Sequence, residues 1–157
     1  MIRKALGITL AALLAALLAG CLPMTFSHEG VIDFEKYPSV YVQPVLVTGQ
    51  GVFGDGPDSS AQSYLISELR DASGFERVVG EPVNVSAVLV VEVRIDVDYD
   101  SQDGTEDYPG TASWYLRTLD GALINEGSTS ETSNTPQEAL EDLLDEVGHH
   151  YLRPYRF

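Results

Sequence analysis

The strongest pattern in the chain is an alternation of period two. From Ser86 to Tyr99 the odd positions are Ala87, Leu89, Val91, Val93, Ile95, Val97 and Tyr99. The even positions are Ser86, Val88, Val90, Glu92, Arg94, Asp96 and Asp98, so the second face turns polar after Val90. Side chains alternate across a strand, and this pattern predicts a strand with one buried face. At about 3.3 Å per residue it would reach roughly 46 Å, so its far end is expected to bend or project. Its partner is expected from near Thr111, with Trp114, Leu116 and Leu119 available to pack. The segment Leu119-Asp120-Gly121-Ala122 predicts a type I′ hairpin turn, returning through Leu123 and Ile124 towards Gly127.

An earlier strand is predicted over Tyr37–Val47, with Val40, Val42 and Leu46 on one face and Tyr41, Gln43, Val45 and Val47 on the other. Pro44 donates no ladder hydrogen bond and implies an edge or a bulge. The glycine-rich stretch Gly49–Pro57 predicts a loop: it lacks both the G-x-G-x-x-G spacing and the lysine of a phosphate loop. Two helices follow from period 3.6. The first, from about Ser60 to Ser73, has Ser59 as N-cap with Gln62 three residues on, a stripe of Ala61, Tyr64, Leu65, Leu69 and Ala72, and Gly74 as its stop. Phe75–Val79 then reads as a short strand. The last helix starts at Thr135 (cap), Pro136 (first position) and Glu138, buries Ala139, Leu140, Leu143, Leu144, Val147 and Tyr151, and closes before Pro154. The predicted fold is α+β in the order β-α-β-β-β-α: a mainly antiparallel sheet of about four strands with two helices on one face.

The N-terminus has a different logic. Met1-Ile2-Arg3-Lys4 is basic, and Ala5–Ala19 is an apolar run interrupted by Gly7 and Thr9. Fifteen helical residues span only about 22 Å, short of the roughly 30 Å hydrocarbon layer, and the pattern is that of an export signal. The run ends Leu18-Ala19-Gly20-Cys21, which resembles the lipobox of bacterial lipoproteins. The small residues let an extended backbone enter the signal peptidase, and the thiol carries lipid. The resemblance implies a diacylglyceryl group on the Cys21 thiol, cleavage after Gly20, and an acyl chain such as palmitate on the new amino group. At about 0.8 kcal/mol per buried methylene, two or three chains anchor stably where one is marginal. Cys21 is the sole cysteine, so the domain beyond it holds no disulfide, and lipidation accounts for the odd thiol. Leu22, in place of Asp, favours the outer membrane over the inner one in a Gram-negative cell. The expected organisation is a signal peptide over 1–20, a lipidated tether over 21–30 and a single periplasmic domain over 31–157.

Removing Arg3 and Lys4 with the signal leaves seven Lys+Arg against 24 Asp+Glu, a formal charge of −17. Nucleic-acid binding rests on cations that neutralise phosphates, so this composition excludes that class. Anionic headgroups offer no attraction either, and membrane contact is left to the lipid. The strand "AVLVVEVRIDVDY" after a helix, and "LRTLDGALINEG" before the last helix, resemble the small periplasmic modules at the N-termini of TolB-like and CsgG-like envelope proteins. That resemblance covers about half the mature chain and implies envelope binding or assembly rather than catalysis.

Candidate chemistry is sparse. His149 and His150 are adjacent on a helix and point about 100° apart, unlike an i, i+4 metal pair, and His28 lies in the tether. The acidic run Asp96–Asp107 offers Asp98, Asp100 and Asp103 as a candidate calcium site. EF-hand spacing fails: glycine arrives one position late, and Pro109 stands where the closing Glu belongs. No G-x-S-x-G is present, and no base with an orienting acid stands at a recognisable spacing. Tyr151, Tyr155 and Phe157 form a terminal aromatic cluster, and the many alternating strands of a membrane barrel are missing.

The expected protein is therefore a membrane-anchored, non-catalytic lipoprotein that contacts an envelope protein or cell-wall partner and carries no cofactor beyond its acyl chains. The alternatives are a calcium-responsive or adhesive surface lipoprotein using the acidic run, and a hydrolase without a recognisable motif. Cys21→Ala should leave unprocessed precursor and abolish labelling by a fatty-acid analogue; continued labelling of the variant would remove the lipid anchor from the account.

Overall fold

The computed structural model describes residues 32–49, 53–100 and 104–151. The elements run β1 (Ser39–Val42), β2 (Val45–Gly49), β3 (Gly56–Asp58), α1 (Ser59–Ala72), β4 (Arg77–Val79), β5 (Ala87–Ile95), β6 (Asp98–Asp100), β7 (Thr105–Thr118), β8 (Leu123–Ser133) and α2 (Pro136–His150). The fold is α+β with both helices on one face of the sheet, as the patterning predicts. The sheet itself corrects the expectation: among the described residues it has eight strands rather than about four, and it is mixed rather than mainly antiparallel.

Strand β5 is the axis. One edge pairs antiparallel with β7, from Ala87 opposite Thr118 to Ile95 opposite Gly110. The other edge takes β1 and then β2, both parallel. Beyond these, β4 lies parallel to β1 and β3 antiparallel to β2, while β8 flanks β7. Parallel neighbours require a crossover connection, and α1 with β4 supplies it.

Strands β1 and β2 are one strand broken at Pro44. Val42 faces Leu89 and Leu46 faces Glu92, so four steps on one strand match three on the other. This is a β-bulge, and Gln43 N–H still donates to the Leu89 carbonyl at 2.9 Å. The extra residue reverses the parity of everything after it. Val40, Val42, Val45 and Val47 are all buried, and Leu46 is exposed on the opposite face. The expected pairing of Leu46 with Val40 and Val42 is thereby overturned.

The inner layer is apolar throughout. Ala87, Leu89, Val91, Val93 and Ile95 of β5 lie against Ala112, Trp114 and Leu116 of β7, beneath Leu65 and Leu69 of α1 and Leu140, Leu143, Leu144 and Val147 of α2. Each large aliphatic side chain buried this way contributes about 1.5–3 kcal/mol. Helix α2 starts as the sequence requires: Thr135 accepts from the Glu138 N–H at 3.2 Å, and Pro136 fills the first position. Helix α1 is capped one residue earlier than expected, by Asp58 rather than Ser59. The Asp58 carboxylate accepts from Ser60 N–H (2.8 Å) and Ala61 N–H (2.9 Å) and places negative charge at the positive helix end. Gln62 closes no capping box; its amide donates to the Val42 carbonyl at 2.8 Å and ties α1 to the bulged strand. Tyr64 OH donates to Asp145 at 2.8 Å and joins the two helices.

Strand β7 begins at Thr105, six residues before the predicted start. The turn into β8 is also different. Only Gly121 has positive φ (89°), whereas type I′ requires it at both central residues. Gly121 N–H donates to the Thr118 carbonyl at 3.0 Å and Thr118 N–H to the Ala122 carbonyl at 2.9 Å, giving a three-residue loop with glycine in the left-handed position. Leu119, at its tip, is exposed rather than packed.

Gly127 is held by close approach. A Cβ on Gly127 would lie 2.6 Å from Cε2 and 3.0 Å from Nε1 of Trp114, whose indole covers it across the β7–β8 ladder. A buried indole has nowhere to go, so Gly127→Ala should destabilise the domain by about 1–3 kcal/mol. Gly54→Ala, with open space around it, should stay within about 0.5 kcal/mol of the parent; urea denaturation of both variants measures the difference.

Candidate functional site

Among the described residues, helices cover one face of the sheet and leave the other open. Strand registers place its side chains in rows. Tyr41, Val88 and Arg117 form one row; Val90, Tyr115 and Glu126 the next; Leu46, Glu92, Ser113 and Ser128 the third; Thr48, Arg94, Thr111 and Ser130 the fourth. The face therefore grades from an apolar, tyrosine-bearing end to a polar, hydroxyl-rich one. At the apolar end the Arg117 guanidinium stands 5.6 Å over the Tyr115 ring. At the polar end lies a shallow depression of about 490 Å³ lined by Arg94, Asp96, Thr111, Ser130, Glu131 and Thr132, among others. Arg94 Nε donates to Asp96 at 3.0 Å, and both groups are well exposed. Such a surface pair contributes at most about 1 kcal/mol and leaves both groups accessible to a partner.

Beyond the polar end, β6 and the start of β7 continue the β5–β7 register as a two-stranded ribbon, with Asp98 opposite Asp107, Tyr99 opposite Glu106 and Asp100 opposite Thr105. This is the projecting end that the length of the alternation predicts. Tyr99 is 61% exposed and Val97 41%. Tyr108 OH donates to Glu106 at 2.7 Å. The sequence nominates Asp98, Asp100 and Asp103 together. The structure instead sets Asp98 across from Asp107, which the sequence reading passed over because cross-strand neighbours are set by register rather than by spacing. Asp103 lies outside the described residues, as do Leu18, Ala19, Gly20, Cys21 and His28. Among the described residues no group of three or more His, Cys, Asp or Glu side chains is placed to hold a metal ion.

The two histidines diverge as their adjacency requires. His149 Nδ1 donates to the Asp145 carbonyl at 2.8 Å on the exposed side of α2. His150 turns inward, with Nε2 2.9 Å from Asn125 Oδ1 and its ring 5.0 Å from both Trp114 and Tyr151. Asn125 is 2% exposed and also accepts from Tyr151 OH at 3.4 Å. Phe75 packs on Tyr151 and Phe34 on Phe75, so these aromatics are core. Sequence reasoning identified Tyr151 and missed Asn125, a polar residue in a polar strand whose burial only the sheet register reveals. Ser133 Oγ donates to Asp142 at 2.8 Å and fastens β8 to α2.

No protein-family model matches the chain, and no curated protein matches it in sequence. Solved structures do share its fold. The PelC dodecamer from Paraburkholderia phytofirmans aligns with 17% identity and a TM-score of 0.55 over 81% of this chain and 96% of that one. A singly substituted PelC dodecamer from the same organism aligns with 19% identity and a TM-score of 0.56, over 84% and 100%. Protein XCC0632 from Xanthomonas campestris, a DUF330 protein, aligns at 13% identity with a TM-score of 0.47, over 73% and 83%. What the chain shares with the two PelC structures, at these identities, is the fold. No described helix is long and apolar enough to cross a membrane.

Two buried or half-buried tyrosines give the domain a signature at high pH. Burial, then the hydrogen bond to Asp145, raises the Tyr64 pKa far above its usual 10.0; burial does the same for Tyr151. The folded state keeps both hydroxyls neutral while the unfolded chain ionises them near pH 10. Their contribution is therefore complete below about pH 10 and is lost as pH rises through the raised values. Tyr64→Phe should cost about 0.5–1.5 kcal/mol at neutral pH and make the alkaline decline shallower, measured by urea midpoints between pH 7 and pH 11.

Proposed function

We propose that this chain is an exported lipoprotein, anchored through Cys21 to the outer membrane and facing the periplasm, whose domain works by contact rather than catalysis. The observation that carries the binding part is the open sheet face: four rows of accessible side chains, apolar and aromatic at one end and hydroxyl-rich at the other, left uncovered by helices that lie on the opposite side. Large exposed faces of this kind are contact surfaces. The export part rests on the basic start, the apolar run and Leu18-Ala19-Gly20-Cys21. The fold also supports assembly, since PelC, which shares it, is a dodecamer.

An acidic surface with few cations selects its partners by charge. Polyanions are repelled, and an envelope protein or cell-wall component with exposed apolar or cationic groups is favoured. The partner is read by crosslinking the lipidated protein in living cells, purifying it from membranes and identifying what accompanies it by mass spectrometry. A single envelope component enriched over a lipidated control is the expected result. Even recovery of both proteins with the same background would refute the contact reading.

A further inference from the structure

The domain has two ends of opposite character. Strands β1 and β5 start side by side, with Val40 beside Ala87, and β7 ends there too, with Thr118 opposite Ala87. The chain therefore enters the domain at the end where β7 turns into β8. Of the large apolar side chains exposed among the described residues, Val83 (53%), Leu119 (64%) and Leu123 (46%) sit at this end. Val83 precedes β5, and the two leucines flank the turn. Four of the five described Lys and Arg residues, Lys36, Arg70, Arg77 and Arg117, lie here as well. Asp33, Glu35, Asp71, Glu76, Glu81 and Asp120 stand among them, so charge at this end is largely offset. The opposite end is the β6–β7 ribbon, where residues 95–110 hold six Asp and Glu and no Lys or Arg. Net charge leaves membrane contact to the lipid, but its distribution confines the strongest repulsion to the ribbon.

We propose that the entry end docks on the bilayer that holds the Cys21 acyl chains, with Val83, Leu119 and Leu123 at the boundary between headgroups and acyl chains. The acidic ribbon then points away from the membrane. This orientation rests on the lipid anchor proposed above. Chain length selects a lipid surface as the occupant. Cys21 and Ile32 are eleven residues apart, a reach of at most about 40 Å. Ala87 to Asp100 covers fourteen residues, about 46 Å at roughly 3.3 Å each. A domain standing on its ribbon would hold the entry end beyond the reach of the anchor. Tethering also keeps the bilayer at high effective concentration, so three apolar side chains too few to bind a membrane alone suffice to set an orientation. Charge acts in the same sense: Lys36, Arg77 and Arg117 meet headgroup phosphates, while the ribbon is repelled by an anionic leaflet.

The test uses the full-length lipidated protein reconstituted in vesicles of phosphatidylethanolamine and phosphatidylglycerol. Flotation with the vesicles reads the anchor, and a fluorophore on an introduced cysteine reads the orientation. With Cys21 occupied by lipid, Ala122→Cys at the turn or Asp107→Cys on the ribbon takes the label alone; both positions are exposed. A quencher carried on the lipid acyl chains should quench the label at position 122 several-fold more than the label at 107. Leu119→Ser combined with Leu123→Ser should abolish that difference while flotation and the circular dichroism spectrum stay unchanged. Should the double variant unfold, the comparison of 122 with 107 decides alone. A parent that does not float overturns the anchor and the orientation with it. Flotation with equal quenching at the two positions, or stronger quenching at 107, overturns the orientation and leaves the anchor standing. Undiminished quenching at 122 in the folded double variant overturns it as well.

Discussion

Strand β5 holds the structure together because it joins the parallel half of the sheet to the antiparallel half and is buried along a whole face. Ala87, Leu89, Val91, Val93 and Ile95 carry no exposed surface beyond a percent, and each has a partner on β7. Remove that apolar row and neither the parallel pair β1–β2 nor the antiparallel hairpin with β7 has anything to register against. The helices depend on it too: α1 lies over the parallel half and α2 over the hairpin half, and Tyr64–Asp145 joins them across the seam. An all-aliphatic row in which Val91, Val93 and Ile95 are β-branched is well suited to this role, since stiff side chains pack on a pleated surface with little entropy left to lose.

How much of this could be read in advance follows from element length. β5 announces itself over fourteen alternating residues, and α2 through its cap, its proline and its full apolar face. The three-residue strands β3, β4 and β6 are too short to carry a period, so the strand count came out low. The parallel pairing was hidden for a different reason. Hairpins leave a local turn signal, whereas Val40 meets Ala87 through a crossover that no local signal marks. The bulge at Gln43–Pro44 shows the limit most clearly: proline flags a disturbance, but only the register tells that one extra residue turns Val45 and Val47 inward and Leu46 outward. At α1, Asp58 and Ser59 are both good caps, and the backbone chose the charged one.

The candidate surface was less legible than the fold. Its rows are cross-strand neighbours drawn from β1, β2, β5, β7 and β8, residues up to about ninety positions apart, and no spacing rule connects Leu46 to Ser128. The acidic run was visible as composition, yet its geometry reorders it, pairing Asp98 with Asp107 across a ribbon instead of gathering three aspartates around one point. Charge in this protein is spread along edges and helix surfaces, while the open face keeps two of the described arginines, Arg94 beside Asp96 and Arg117 over Tyr115.

The topology also governs when the chain can fold. β1 and β2 come first in the domain, but their ladder partner on β5 lies 47 and 46 positions downstream. A chain made from its N-terminus therefore delivers Val40–Val47 long before anything exists to pair with them. Four valines that end in the core wait exposed, on a strand interrupted by a proline that keeps it from pairing smoothly with a stray neighbour. The bulge thus serves the unfinished chain as well as the finished one: it interrupts the stickiest early segment until β5 arrives to fix its register.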